Sequence, residues 1–196
     1  MKNKFQKKRE ETYNRLIETG VEVFCEKGYA STTLEDITSR AGYTKGAFYV
    51  HFKNKQAFFF QLMDHQGFFF EGDQNEEGRL VAGSDFKSTV DYWSKQVLNR
   101  FISSKWTLVF YDFYIQNRHD AKVQSFFQEY HQKWVEDIST IIDGLKMKGW
   151  VVKEQDSRKL AIRCYDIIAG AILHHHIDGE PVDLDDMTEA ILDLLG

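Results

Sequence analysis

The stretch that most constrains this chain is TLEDITSRAGYTKGAFYVHF, residues 33–52. It reads as two short helices separated by a tight turn. The Thr33 hydroxyl is placed to cap the first helix, and Asp36, three residues on, completes a capping-box pattern. Leu34, Ile37 and Ala41 then fall at i, i+3 and i+7, one apolar stripe facing inward. Gly42 follows where helices commonly end in a left-handed residue, a conformation glycine adopts without steric cost. Thr44 is expected to cap a second helix from Lys45 to about Phe52, buried through Phe48 and Phe52. That leaves Lys45, Gly46, Ala47, Tyr49, Val50 and His51 on the outer and end surfaces. A short helix-turn-helix with a small, basic, aromatic outer face suits the DNA major groove.

Thr33-x-x-x-Ile37, Ala41-Gly42, Thr44-Lys45-Gly46, Tyr49 and His51-Phe52-x-x-Lys55 together resemble the DNA-binding signature of the TetR (tetracycline-repressor) family. The resemblance runs from about Tyr13 to Phe59, under a third of the chain. Three positions depart from common family choices: Tyr43 for Val, Thr38 for Ala and Val50 for an aromatic. They bear on the operator sequence, not on the fold. The resemblance implies a dimeric regulator whose larger domain holds a cavity for a small, often lipophilic effector. It also implies that the last two helices pair with their copies in a four-helix interface.

Only Pro181 interrupts 196 residues with few strand-like alternations, which predicts an all-α chain of about nine helices. Residues 1–54 are expected to form a three-helix DNA-binding head. Residues 55–196 are expected to form an effector-binding and dimerisation domain, with a helix over 55–70 linking the two. Residues 1–60 carry 11 Lys or Arg against 7 Asp or Glu, while the whole chain is at −5. A basic N-terminal module on an acidic body is the distribution expected when one end meets phosphates. Lys2, Lys4, Lys7, Lys8 and Arg9 fit either a solvated tail or an arm reaching phosphate or minor groove. No apolar run reaches membrane-spanning length and the N-terminus lacks a signal-peptide core, so a cytoplasmic location is expected. Cys25 and Cys164 lack metal or redox spacing and read as small core residues.

Helical periodicity continues along the chain. A first helix from about Phe5 to Lys27 ends at Gly28 and packs Tyr13, Leu16, Ile17, Gly20 and Phe24 on the head. Asn54 caps the linking helix, whose Phe58-Phe59-Phe60 and Phe68-Phe69-Phe70 runs require burial on several sides. Residues 71–84 read as a glycine-broken loop. Further helices are expected over 85–103, from Ser104 through WTLVFYDFYIQN, from Asp120 to Lys148, from Asp156 to about Ile177, and after Asp183.

The residues point to a DNA-binding protein, and with what the resemblance implies the expectation is a dimeric repressor released from a palindromic operator by a small, lipophilic effector. Thr33, Thr44, Tyr49, His51 and Lys55 are expected to grip phosphates, Lys55 doing so at the N-terminus of the linking helix. Lys45, Gly46 and Ala47 are expected to approach base edges, Lys45 toward guanine acceptors and Ala47 toward a thymine methyl. For the effector cavity implied by the resemblance, the candidate walls are Trp93, Trp106, Phe110, Phe113, Tyr114, Tyr130 and Trp134. Asp112 or Asp166 inside it would favour a cation. The candidate dimer seam is Ile168, Ile172, Leu184, Met187, Ile191 and Leu194. His174-His175-His176 diverge by about 100° per residue on a helix, so they are not expected to share a metal. No nucleophile, phosphate-loop or zinc motif is present, and neither a cofactor nor catalysis is expected. The rivals are a constitutive DNA-binding dimer without a ligand, or a metal-binding or enzymatic protein with a DNA-binding-like head.

Overall fold

The computed structural model describes residues 4–65, 85–102, 105–152 and 154–196, with side chains at 98–102 left aside. Lys2, the 66–70 extension with Phe68-Phe69-Phe70, the 71–84 loop, the Ser104 cap and the Phe101 side chain lie outside what is described. The described residues are helical throughout, without a strand. In chain order the helices are α1 (Lys4–Ser31), α2 (Leu34–Ala41), α3 (Lys45–Tyr49), α4 (Lys55–His65) and α5 (Phe86–Ile102). They continue with α6 (Trp106–Asn117), α7 (Ala121–Met147), α8 (Ser157–Asp178) and α9 (Leu184–Leu195). Among the described residues, the helices fall into two compact units, one holding α1–α4 and α6, the other α5 and α7–α9.

In the first unit, α1 breaks at Gly28, whose φ of 78° and ψ of 167° are not helical. Tyr29 turns back into the core beneath it, 5% exposed and stacked on Phe24. Phe24, Phe48, Phe58 and Phe59 are fully enclosed. Gly20 makes this possible, because a Cβ there would stand 2.4 Å from the Phe58 ring. Asn54 caps α4, its Oδ1 accepting from the Ala57 N–H at 2.8 Å.

The sequence of α6 is apolar almost all round, which predicts a central helix. The structure places it with the head. Phe113 stacks on Phe59 with ring centres 4.2 Å apart, and Trp106 does so at 5.3 Å. Val109 and Phe110 on the same helix are buried, while Leu108 and Ile115 are exposed.

The second unit is aliphatic. Val135, Ile142, Leu145, Leu160, Ala161 and Ile191 belong to one buried cluster contributed by α7, α8 and α9, to which α5 adds Val90. Each helix start carries an aspartate. Asp85, Asp120, Asp156 and Asp183 accept from free backbone N–H groups of the first turn of α5, α7, α8 and α9. Those groups have no partner within their own helix, which is why the short carboxylate is favoured there. Gly149 and Gly179, both left-handed, end α7 and α8.

Candidate nucleic-acid interface

The reading head is built by local hydrogen bonds. Thr33 Oγ1 accepts from the Asp36 N–H at 3.1 Å, and the Thr33 N–H donates to Asp36 Oδ2 at 2.8 Å, closing the capping box. Lys27 approaches the same carboxylate at 2.6 Å. These donors hold the Asp36 carboxyl well below the usual carboxylate range, Lys27 contributing most. Gly42, at φ 78°, stops α2, and the Tyr43 N–H donates to the Thr38 carbonyl at 2.8 Å. Thr44 Oγ1 then accepts from the Ala47 N–H at 3.2 Å and starts α3. The turn is therefore fixed by the residues that the sequence marked for it.

Around this turn, Thr33, Thr44, Lys45, Gly46 and Tyr49 are exposed, while Ala47 and His51 are half-buried. Phe48 and Phe52 point inward. Lys45 Nζ rests on Glu35 Oε2 at 2.8 Å, an exposed pair that it can leave for another acceptor. Gly46 is informative because its missing Cβ would meet only the Thr44 hydroxyl, at 3.6 Å. Nothing inside the protein requires glycine at this helical position. His51 lies beside Tyr13, ring centres 5.9 Å apart, and with Arg9 and Glu10 these line an open groove. Burial, then the nearby Arg9 charge, lowers its pKa, which favours neutral imidazole. The groove brings the N-terminal part of α1 next to His51, a juxtaposition that periodicity did not indicate.

Lys55 departs from its expected place as a phosphate clamp. Its ammonium turns inward and donates to the carbonyls of Tyr29 at 2.8 Å and Thr32 at 2.9 Å, over the Tyr29 ring. The carbonyls after the Gly28 break lack helical partners, and a buried ammonium satisfies them. Burial lowers the Lys55 pKa, and the Asp112 charge offsets part of that.

The expected effector walls are divided between the two units. Trp106, Phe110 and Phe113 are buried in the head unit, and Tyr114 on the same helix is exposed. Tyr130 is buried on α7 with its ring 6.2 Å from Trp134. Trp93 and Trp134, in the second unit, do line a cavity of about 70 Å³ with Val97, Ile138, Cys164 and Ile168. Burial pushes the Cys164 thiol up to about 11, so it is a protonated, weakly polar wall group. No Asp, Glu, Lys, Arg or His is among the described residues lining this cavity. The carboxylates considered for a cation lie elsewhere: Asp112 accepts from the Ala30 N–H at 2.9 Å, and Asp166 is exposed on α8.

Within one protomer the residues expected at the dimer seam also serve the core. Ile172, Met187 and Ile191 are buried in the protomer's own core, and Ile168, Leu184 and Leu194 are half-buried against it. The apolar residues that α8 leaves at the surface are Ile162, Leu173 and Ile177, 37%, 47% and 68% exposed. They share a face with Gly170, where an added Cβ would meet nothing within 4 Å. The three histidines close α8; the His175 ring bonds the Glu180 carbonyl at 2.8 Å through Nδ1.

An all-helical protein with this head is compatible with several regulator classes, and comparison narrows it. Residues 16–62 match the model for bacterial regulatory proteins of the tetR family. Residues 97–196 match that for the C-terminal part of BetI-type transcriptional repressors. Over 57 residues the chain is 51% identical to the uncharacterized helix-turn-helix regulator YwcC of Bacillus subtilis, covering 29% of this chain and 26% of that protein. Over 43 residues it is 49% identical to the repressor DhaR of a Mycobacterium species, covering 22% of each. These matches span only about a quarter of the curated relatives' length. A TetR-family regulator from Cytophaga hutchinsonii shares the fold at a TM-score of 0.74 and 23% identity, over 96% of this chain and 94% of that one. The chain belongs to the TetR family of helix-turn-helix transcriptional regulators. Among the described residues, no helix is long and apolar enough to cross a membrane.

Proposed function

We propose that this regulator is a dimeric repressor that a small, uncharged, apolar effector releases from a palindromic operator. The observation that carries the DNA-binding half is the outer face of α3, where exposed Lys45, Gly46 and Tyr49 surround an open Cβ position. Glycine inside a helix costs roughly 1 kcal/mol relative to alanine, and packing within the protein gives nothing back here. Close approach of an outside surface does. Lys45 then reaches guanine acceptors and Ala47 a thymine methyl, while Thr44 and Tyr49 contact phosphates. The Thr33 N–H and hydroxyl are both committed to the capping box, so Thr33 reaches a phosphate only by giving up one of those bonds. Lys55 is reassigned to holding the head together.

The same reasoning supports a second copy of the chain on α8. Gly170 has an open Cβ position between exposed Ile162, Leu173 and Ile177, a face shaped for another helix at short range. The effector site is the cavity beside Trp93 and Trp134. An ion entering it would lose its hydration without a counter-charge among the described walls, so neutral molecules are favoured. About 70 Å³ restricts the ligand to a few heavy atoms unless the walls move.

Light scattering and DNA binding on three variants test this. Leu173→Glu is expected to give a folded monomer that binds operator weakly. Ile172→Glu is expected to unfold the second unit instead, because that side chain is internal. Lys45→Ala should keep the dimer and lower the slope of log affinity against log salt by about one counterion per lost phosphate contact, or relax base preference if it reads guanine. A Leu173→Glu protein that remains dimeric at micromolar concentration would place the interface elsewhere.

A further inference from the structure

The turn between α1 and α2 is held from two sides by groups far away in sequence. After Gly28 breaks α1, the Ala30 N–H donates to Asp112 Oδ2 on α6 at 2.9 Å, across 82 residues. A Cβ at Gly28 would stand 3.1 Å from that same oxygen, so glycine serves both the positive φ and the close carboxylate. From the other side, the Lys55 ammonium at the start of α4 takes the carbonyls of Tyr29 and Thr32. Donor and acceptors of one turn are thus divided between a carboxylate on α6 and an ammonium on α4. Asp112 does not float: its neighbour Phe113 stacks on Phe59 and meets the Tyr29 ring edge-on at 4.8 Å. Its other oxygen takes a weaker contact from Gln116 at 3.4 Å.

We propose that Asp112 is a positioning residue for DNA binding, its carboxylate latching α6 onto the turn that sets where α2 and α4 begin. The proposal rests on the reading of the head as a DNA-binding element. The turn runs directly into the Thr33 cap, so a shift at Ala30 moves the N-terminus of α2 and with it the angle of α3. Lys55 transmits the same shift to α4. The topology gives the latch a use. α6 belongs to the head unit, yet in sequence it is flanked by α5 and α7, which belong to the other. Any change in the second unit that pulls on this helix through its two chain connections acts on the Asp112–Ala30 bond. Lys55 senses it as well, since the Asp112 charge opposes the loss of its proton on burial.

Asp112→Asn is the test, because it keeps the shape and one carbonyl oxygen but removes the charge. The probe is the duplex that the wild-type protein enriches from a random library. The variant is expected to keep its helical circular dichroism and to bind that duplex roughly tenfold more weakly, the scale of losing a charge-assisted hydrogen bond. The Lys55 amine, followed by NMR of the labelled lysine, is expected to titrate lower than in the wild type. A merely structural role for Asp112 would leave the Ala30 amide no better protected in the DNA complex than in the free protein. An affinity within twofold of wild type overturns the proposal, wherever Lys55 titrates. If the variant fails to fold, amide exchange in the wild type decides. The Ala30 amide should be protected in the free protein and more so in the DNA complex; no protection, or none gained on DNA, overturns it. A wild-type protein that enriches no duplex fails the DNA-binding reading and this proposal together. A tight wild-type complex matched by Asp112→Asn fails this proposal alone.

Discussion

In the head unit, Phe48, Phe52 and Phe58 lock together at ring-centre distances of 4.6–5.1 Å, and Phe24 closes on Phe58 at 6.2 Å. In the second unit, aliphatic side chains of α5, α7, α8 and α9 surround an apolar cavity. Interlocked rings in fixed contacts leave few alternative packings. That suits an element that presents α3 in one geometry. A core with unfilled volume has something to gain from an added group, which suits an element that responds to a ligand. The difference teaches that the two units are packed to different densities, tight beneath α3 and unfilled where the effector is proposed to enter.

The comparison is broken most forcefully by truncation. Phe58→Ala removes a fully enclosed ring that touches Phe24, Phe48 and Phe52, and should destabilise the head by ~3–5 kcal/mol. Denaturant unfolding followed by near-ultraviolet circular dichroism would read this as early loss of aromatic signal. A loss below about 1 kcal/mol would mean that the ring cluster is not the rigid element described here.

Adding atoms gives a sharper contrast, because the sign should reverse between units. Gly20→Ala drives a Cβ to 2.4 Å from the Phe58 ring and should cost ~1–3 kcal/mol. Cys164→Val adds volume beside the cavity and should be neutral or stabilise by up to ~1–2 kcal/mol. Both are read from denaturation midpoints at unchanged m-value. Destabilisation by Cys164→Val equal to that by Gly20→Ala would erase the distinction between a full core and an unfilled one.

How much of this could be read in the sequence follows the length scale of each interaction. Thr33, Asp36, Gly42 and Thr44 act on neighbours three to five residues away, so their spacing was sufficient to place the turn. The aspartate caps at 85, 120, 156 and 183 are local in the same way. The inward turn of Lys55 was not legible because its partners lie 23 and 26 residues upstream, and a lysine at a helix start looks the same whether it faces solvent or carbonyls. For Asp112, weighed with Asp166 as a charge inside a cavity, the bonded Ala30 N–H lies 82 residues upstream. Periodicity marked Ile172, Met187 and Ile191 as buried, which they are, but a stripe does not say whether its own core or a partner covers it. The assignment of α6 to the head needed Phe59 and Phe113 to meet across 54 residues, which no window of sequence contains.

A pH series separates the local network from the cores. The folded-state pKa of Asp36 is depressed by Lys27 and the Thr33 groups. Its contribution is therefore fully present above the unfolded value, about 4, and is lost as pH falls below it toward the folded value. The wild type should melt higher than Asp36→Asn at pH 7, and the two should converge on acidification to about pH 2. Curves that stay parallel over that range would remove the capping box from the head's acid sensitivity.

The smallest effects are the most discriminating, because they should help folding and harm function. Gly46 on α3 and Gly170 on α8 are helical glycines whose added Cβ meets ordinary contact or open space. Alanine at either site should raise monomer stability by ~0.5–1 kcal/mol, through helix propensity and a less free unfolded chain. If α3 lies against DNA, Gly46→Ala must push the helix away from base edges and weaken binding while the dimer persists. If α8 packs against its copy, Gly170→Ala must loosen the dimer and leave the isolated head intact. Each substitution is thus stabilising in one assay and damaging in another, and the damaged assay names the surface. A stabilised Gly46→Ala protein with full DNA affinity would show that no surface approaches α3 closely. A Gly170→Ala protein with unchanged dimer affinity would do the same for α8, and the open Cβ positions would then record no contact with a partner.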